Sequence, residues 1–258
     1  MISDFIKGAG AYVKAFQTIS EMRLWKYLLV PGLISLLLGG SIVGAAWGMS
    51  DNLGMWLQSW YPWELGAGTI AAVAGWIGMA LILIFGLIIY KHLILVVVSP
   101  FMSPLSQKVE ERITGIPTPN KGFQAAKAMK DIVRGLRIAL RNITKELFFV
   151  SILFLLGLIP VIGWVCSILI FLVQAYYAGF GNLDYTLERH CTVKGSNRFV
   201  KDNRWLAVGN GTVFLLILMT GIGFLFAPPL ATVAATLEAT KRLDSPQIQS
   251  REGQVDYV

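Results

Sequence analysis

Charge is scarce in this chain. Only 14% of its 258 residues are Asp, Glu, Lys or Arg, whereas a soluble globular domain carries about 25%. Two cysteines and two histidines complete the short inventory of reactive side chains. Cys166 lies inside an apolar run and Cys191 in a basic loop, so no disulfide framework is expected. His190 adjoins Cys191 with no further ligand cluster, which leaves no basis for a metal site, and His92 reads as an interfacial side chain. No P-loop, HExxH, GxSxG or CxxC pattern occurs. Nothing in the sequence supports an enzyme, a catalytic residue or a cofactor. Residues 1–26 are too long and too mixed in charge to read as the basic leader of a signal peptide.

What is present is apolar. Hydrophobic residues make up 55% of the chain. They are bunched into four uncharged runs, Tyr27–Met49, Leu65–Tyr90, Leu147–Leu183 and Trp205–Leu237. Runs beyond about 18 apolar residues argue for membrane helices rather than buried strands. The sequence predicts an all-α integral membrane protein with one helical membrane domain over 1–240 and a polar, disordered tail over 241–258. The net charge of +7 invites a nucleic-acid reading. In a membrane protein the placement of the cations decides instead, and no nucleic-acid partner is expected. The segment 50–64 holds Asp51 and Glu64 but no Lys or Arg, while the other connecting segments are basic. By the positive-inside rule only 50–64 faces outward, with Trp56, Trp60, Tyr61 and Trp63 suited to a headgroup belt. Tyr27–Met49 then crosses outward and Leu65–Tyr90 returns.

Two segments have amphipathic spacing. Ile2, Phe5, Ile6, Ala9, Tyr12, Val13 and Phe16 form one face of an interfacial helix over 2–16. A second helix is predicted over about 121–146. Phe123, Met129, Ile132, Val133, Leu136, Leu140 and Ile143 lie on its apolar face, and Lys127, Lys130, Arg134, Arg137, Arg141 and Lys145 on a basic stripe. That stripe suits anionic lipid headgroups or an electropositive vestibule, and the residues leave both open. Between these segments, Pro100 and Pro104 are expected to interrupt the helix after the second run. Gly115, Pro117 and Pro119 are expected to end its cytoplasmic continuation.

The run Leu147–Leu183 has 37 residues and basic residues beyond both ends, so it must enter the membrane and return. Its first arm, Leu147–Ile159, has 13 residues, or about 20 Å of helix. A hydrocarbon core is about 30 Å thick. The arm falls short unless it borrows charged residues from the preceding helix, and the economical reading is a re-entrant hairpin turning at Pro160–Gly163, with its bend sheltered by protein or water. Trp205–Leu237 repeats the arrangement, broken at Gly221, Gly223, Pro228 and Pro229. Two ordinary tight hairpins of four full spans remain the alternative. Paired interrupted segments point toward a transport site.

No Asp, Glu, Lys, Arg or His lies within any of the four runs, which argues against an intramembrane carboxylate relay. Helix termini and open backbone amides suit an anion without placing a full charge in lipid. Arg23 and Lys26, between the first helix and the first run, either clamp an anion or anchor headgroups beside Trp25 and Tyr27.

The stretch "SPFMSPLSQKVEERITG" carries a resemblance. Pro100, Phe101, Leu105, Glu110, Arg112, Thr114 and Gly115 match a Pro-Phe … Leu … Glu-x-Arg-x-Thr-Gly pattern. "IPVIG", with Pro160 and Gly163, matches Ile-Pro-x-Ile-Gly, and Asp184-Tyr185 and "APPLATVAAT", with Pro228, follow in order. On these residues the sequence resembles the CysZ-type sulfate permeases of the wider etoposide-induced-protein-like superfamily. The resemblance implies two transmembrane helices plus two hemi-penetrating helical hairpins in a homo-oligomer. It also implies multi-pass insertion in the bacterial inner membrane and sulfate uptake for cysteine biosynthesis. The family's sulfate-binding Gly-(Leu/Ile)-Arg-Arg element falls on Arg23, Leu24, Trp25 and Lys26, which makes Arg23, Leu24 and Lys26 the substrate-binding candidates. A non-transporting membrane protein that organises anionic lipid is the rival reading of the same residues.

Overall fold

Helices account for all the regular structure among the described residues. The computed structural model describes residues 1–25, 29, 32–34, 36–41, 43–44, 84–93, 97–116, 125–159, 162–220 and 223–243. The helices are α1 (Ile2–Glu21), α2 (Gly32–Ser41), α3 (Ile84–Leu93), α4 (Ser99–Thr114), α5 (Ala125–Gly157), α6 (Gly163–Leu187), α7 (Val193–Asp202), α8 (Arg204–Leu218) and α9 (Gly223–Leu243). Among the described residues, α6 alone is long and apolar enough to cross a membrane, and α2, α3 and α8 are shorter apolar helices. Most of the first two predicted spans, the 50–64 loop and residues 244–258 lie outside the described residues. The predicted tail starts late, because α9 continues through Lys241 and Arg242 to Leu243.

Two helical hairpins form the centre, α5–α6 and α8–α9, with α1 and α4 packed on them. The first hairpin corrects the predicted boundary at Leu147. Helix α5 is one helix of 33 residues, about 50 Å long. No glycine or proline falls between Gly135 and Gly157 to end it. The 13 uncharged residues are therefore the far portion of a longer helix, not a separate short arm. The chain turns over residues 158–162, and Gly163 N–H donates to Ile159 O at 2.9 Å. A Cβ on Gly163 would sit 2.7 Å from Gly157 O, so glycine allows the two arms to meet.

The second hairpin also turns earlier than its prolines suggested. Helix α8 ends at Leu218 and α9 begins at Gly223, with Pro228 and Pro229 buried inside α9. A proline within a helix leaves the carbonyl four residues back without its donor, here those of Phe224 and Leu225. Gly32 of α2 packs directly on the Leu225 carbonyl, where a Cβ would lie 2.7 Å from the oxygen. In α4 the same correction applies. Pro100 occupies the first turn, where proline is tolerated, and Pro104 is accommodated inside the helix. Gly115, at φ 69°, caps α4 and its N–H donates to Glu111 O at 2.9 Å, as the sequence predicted.

The hairpins cross through small residues. A Cβ on Gly179 of α6 would clash with Ala207 O of α8, and one on Gly211 of α8 with Ala175 O of α6. Each helix thus presents a small residue four positions from another, the spacing that brings helix backbones close in membranes. Gly8 of α1 and Gly209 of α8 repeat the device, against the carbonyls of Leu206 and Phe5. At this crossing Asn210 ties four helices together. It accepts from Asn182 Nδ2 at 2.9 Å and donates to Ala231 O at 3.2 Å, and its carbonyl accepts from Tyr12 OH at 2.8 Å.

The predicted faces of α1 and α5 are largely turned outward. On α1 the protein-facing side is Gly8, Ala11, Tyr12, Ala15 and Ile19, while Ile2, Ile6, Val13 and Phe16 are exposed. On α5, Met129, Val133, Leu136 and Leu140 are exposed, whereas Ile138, Ala139, Asn142, Glu146 and Val150 are buried. Large apolar side chains thus lie outside on both helices, while the inner faces combine small and apolar residues with the polar Asn142 and Glu146, a distribution suited to lipid as the surrounding medium.

Replacement of Gly211 by valine should therefore cost about 3 kcal/mol or more, because the carbonyl it would strike belongs to a helix that cannot yield. Gly10, with nothing within 4 Å of its added Cβ, is the control. Gly10→Ala should be neutral or stabilise by up to about 1 kcal/mol, read as the thermal midpoint in detergent.

Candidate functional site

The bundle's polar interior begins where the uncharged runs end. Helix α4 carries Ser106 and Glu110 on the face opposite Arg112, which is exposed. The turn after α6 brings Arg189 and His190 to them. Arg189 Nε and Nη2 donate to Glu110 Oε2 at 2.8 and 2.6 Å, and His190 Nε2 meets Glu110 Oε1. Arg189 also donates to Ser106 Oγ at 2.8 Å and Tyr185 O at 2.7 Å. Below it, Ser106, Thr186 and Thr236 form a triangle of hydroxyls at 2.9–3.0 Å, joining α4, α6 and α9. Burial alone would raise the Glu110 pKa. The His190 hydrogen bond and the Arg189 charge outweigh it and hold the carboxyl below its ordinary value.

A second cluster joins α5 to the far end of α6. Arg134 Nη2 reaches Asp184 Oδ1 at 3.1 Å and Ser196 Oγ at 2.7 Å, and Nη1 donates to Cys191 O at 2.8 Å. A third is wholly enclosed. Lys91 and Glu146 are each 0% exposed and form an ion pair. His92 Nε2 lies 2.9 Å from Glu146 Oε2, and Lys91 Nζ donates to Gln174 O at 3.1 Å. His92 is therefore an interior member of an ion cluster, not an interfacial side chain. Among the described residues no three His, Cys, Asp or Glu side chains are grouped to hold a metal.

The predicted site residues do not converge. Pro160 and Lys26 lie outside the described residues, and Gly163 starts α6 at the hairpin tip. Pro100 and Phe101 open α4, with Phe101 packed on the core. Glu110 sits at the Arg189 network. Leu24 is 4% exposed and belongs to the core that includes Ile19, Met102 and Leu105, so it is a packing residue.

Arg23 has unusual geometry. It follows α1 with φ 51°, the only non-glycine residue at positive φ among the described residues. Its N–H donates to Ser20 O at 3.2 Å and that of Leu24 to Ile19 O at 2.9 Å. This is a Schellman turn, with buried Leu24 and Ile19 making its hydrophobic contact. The left-handed position of such a turn is normally glycine. Arg23 holds it at a cost, and its side chain is exposed.

The basic stripe divides as well. Arg137 and Lys145 are exposed, while Arg134 and Arg141 turn inward and are half-buried. The side chains of Lys127 and Lys130 lie outside the described ones. The sequence did hold a signal for the ion clusters. Lys91 and His92 follow the second run, Glu146 precedes the third and Asp184 follows it. Charges of opposite sign at the ends of uncharged runs can meet when the runs fold back.

Residues 11–229 match the protein family described as sulfate transporter CysZ/etoposide-induced protein 2.4. The chain belongs to this family. A relative, the sulfate transporter CysZ of Vibrio parahaemolyticus serotype O3:K6 (strain RIMD 2210633), is 26% identical over 238 residues, covering 89% of this chain and 92% of its own. The matched region runs through α4, the first hairpin, α8 and the first turns of α9, and it takes in all three ion clusters. By this relationship the protein is a membrane transporter and not an enzyme.

Glu110→Ala should destabilise by about 3–5 kcal/mol, since it strands Arg189 in the interior. With its folded pKa depressed, Glu110 contributes stability that is complete above its unfolded value near 4.3 and lost as pH falls through the folded value. Wild type should therefore lose more stability than Glu110→Gln in acid titration below about pH 4. Arg23→Gly should do the opposite and raise stability by up to about 1 kcal/mol.

Proposed function

We propose that this protein is a sulfate permease of the bacterial inner membrane, working as a homo-oligomer and supplying sulfate for cysteine biosynthesis. The observation that carries this reading is the family relationship, which covers residues 11–229 and with them the whole first hairpin and the turn of the second. The relative's name supplies the substrate.

The geometry supports hairpins that enter part-way. Along α6, Trp164, Val165, Ile168 and Leu169 are exposed, and from Gln174 onward nearly every residue is buried. Only residues 163–173 are free to face lipid, about 16 Å of helix, or half of a 30 Å core. On the other arm Phe148, Phe149, Ile152, Leu155 and Leu156 form the matching exposed collar. The second hairpin presents Leu216, Met219 and Phe226 at its tip. The reading adds transmembrane crossings by the uncharged runs Tyr27–Met49 and Leu65–Tyr90, most of which lie outside the described residues. Half-inserted tips leave apolar surface and irregular backbone to be covered, which favours further copies of the chain around the path.

Arg23 supports a binding role at the end of α1. A strained residue persists where something offsets its cost, and a glycine here would relieve the strain while removing a guanidinium. Arg23 with Lys26, and Leu24 fixing the turn, then receives the oxyanion at the interface. The rival reading, a lipid-organising protein, draws on the exposed stripes of α1 and α5 and their neighbouring cations.

Radiolabelled sulfate flux into liposomes separates the two. Flux above empty vesicles is expected, reduced severalfold by Arg23→Ala and by Lys26→Ala but little by Lys127→Ala. Arg23→Gly should lower flux even as it stabilises the fold. Equal effects of all the cation substitutions would indicate nonspecific surface charge, and flux no greater than that of empty liposomes would overturn the permease reading.

A further inference from the structure

Three of the inward-facing cations have carboxylate partners: Lys91 with Glu146, Arg134 with Asp184 and Arg189 with Glu110. Arg141 has none among the described residues. Its guanidinium stacks 5.2 Å from the centroid of the Phe180 ring. Nε and Nη2 donate to Asn142 Oδ1 at 3.3 and 2.8 Å. Two of its five N–H groups are thus used, on a neutral oxygen.

The groups around it are donors. Asn142 is 1% exposed, and its Nδ2 is buried without a partner. Because Oδ1 of the same planar amide is bonded to Arg141, Nδ2 is held close beside the guanidinium. The alternative amide orientation would turn N–H groups against N–H groups. Tyr176 and Tyr177 lie on α6 one turn before Phe180, the ring on which Arg141 stacks. Among the described residues neither hydroxyl has a hydrogen-bond partner. Asp184, on the same helix as Phe180, is neutralised by Arg134 at 3.1 Å.

We propose that Arg141, Asn142, Tyr176 and Tyr177 form a binding site for a small tetrahedral oxyanion between α5 and α6, distinct from the one at Arg23. A half-buried cation costs desolvation energy unless an anion or strong acceptors complete its shell. A set made of guanidinium, amide N–H and phenol O–H groups recognises a ligand that only accepts hydrogen bonds. Sulfate fits, and so does the phosphate of a lipid headgroup. The site rests on the permease reading for the choice of sulfate as first probe, so binding and flux are measured separately.

The test uses full-length protein carrying Arg23→Ala, which removes the other expected site. Equilibrium binding of radiolabelled sulfate and phosphate is measured in neutral detergent. Retention of phosphatidylglycerol against phosphatidylcholine is measured in nanodiscs. Saturable sulfate or phosphate binding should fall at least tenfold with Arg141→Gln and recover in part with Arg141→Lys. If phosphatidylglycerol retention alone shows this dependence, the site stands with a headgroup as its ligand. Tyr176→Phe and Tyr177→Phe preserve the rings and should each weaken binding severalfold, which covers the case of a misfolded Arg141→Gln protein. Binding unaffected by any of these substitutions, or absent in both arms, would overturn the proposal. Arg141-dependent binding without wild-type flux would overturn only the permease reading.

Discussion

The close crossing of α6 and α8 sets the rest of the molecule in place. Lipid supplies no hydrophobic drive between helices, so association depends on van der Waals contact and hydrogen bonds made where backbones approach. Ala175 and Gly179 face Ala207 and Gly211 with no room for another methyl group. That proximity puts Asn182 within reach of Asn210, and through Asn210 it fixes α1 and α9. The hydroxyl triangle of Ser106, Thr186 and Thr236 then has its three helices already assembled. Without the crossing, none of these buried polar groups would find its partner.

Polarity is graded along each hairpin. Along α6 exposed apolar side chains at the tip give way to buried residues from Gln174 onward, and the ion clusters lie at the bases. Three carboxylates hold three inward cations there, so most of the charge in the base is spent on joining helices. This explains how a chain with a net charge of +7 can be basic at its surface and nearly neutral inside. It also narrows the question of anion handling. Cations already paired with carboxylates attract little, and attention falls on those that are not, Arg23 at its strained turn and Arg141 stacked on Phe180.

Much of this was legible in the sequence, for stated physical reasons. Uncharged runs gave the helical class, Gly115 gave the end of α4, and the Gly163 turn and the break before Gly223 were marked by residues that helices avoid. The boundaries that failed did so where one rule was applied alone. Charge was taken to end a helix at Leu147, but charge does not break helices, and α5 continues through the change in environment. Pro104, Pro228 and Pro229 favour breaks, yet each lies inside a helix, and the carbonyl that Pro229 frees at Leu225 is packed by Gly32. The direction of the amphipathic faces was not legible, because the solvent that decides which face is outside is absent from the sequence. Charges at the ends of the uncharged runs signalled that opposite signs could meet, but which partner Arg134, Arg189 and Lys91 each take, across 50–83 residues, depends on the fold itself.

How deep the first hairpin goes is the question on which the architecture turns. Trp164 sits at its tip and is 82% exposed. A nitroxide placed there through Trp164→Cys, in protein reconstituted into lipid bilayers, reports depth by its relative accessibility to oxygen and to a polar nickel reagent. A half-inserted hairpin predicts a label near the bilayer centre, open to oxygen and shielded from nickel. A label at the opposite headgroup region would mean that the hairpin spans the membrane, and would contradict the account.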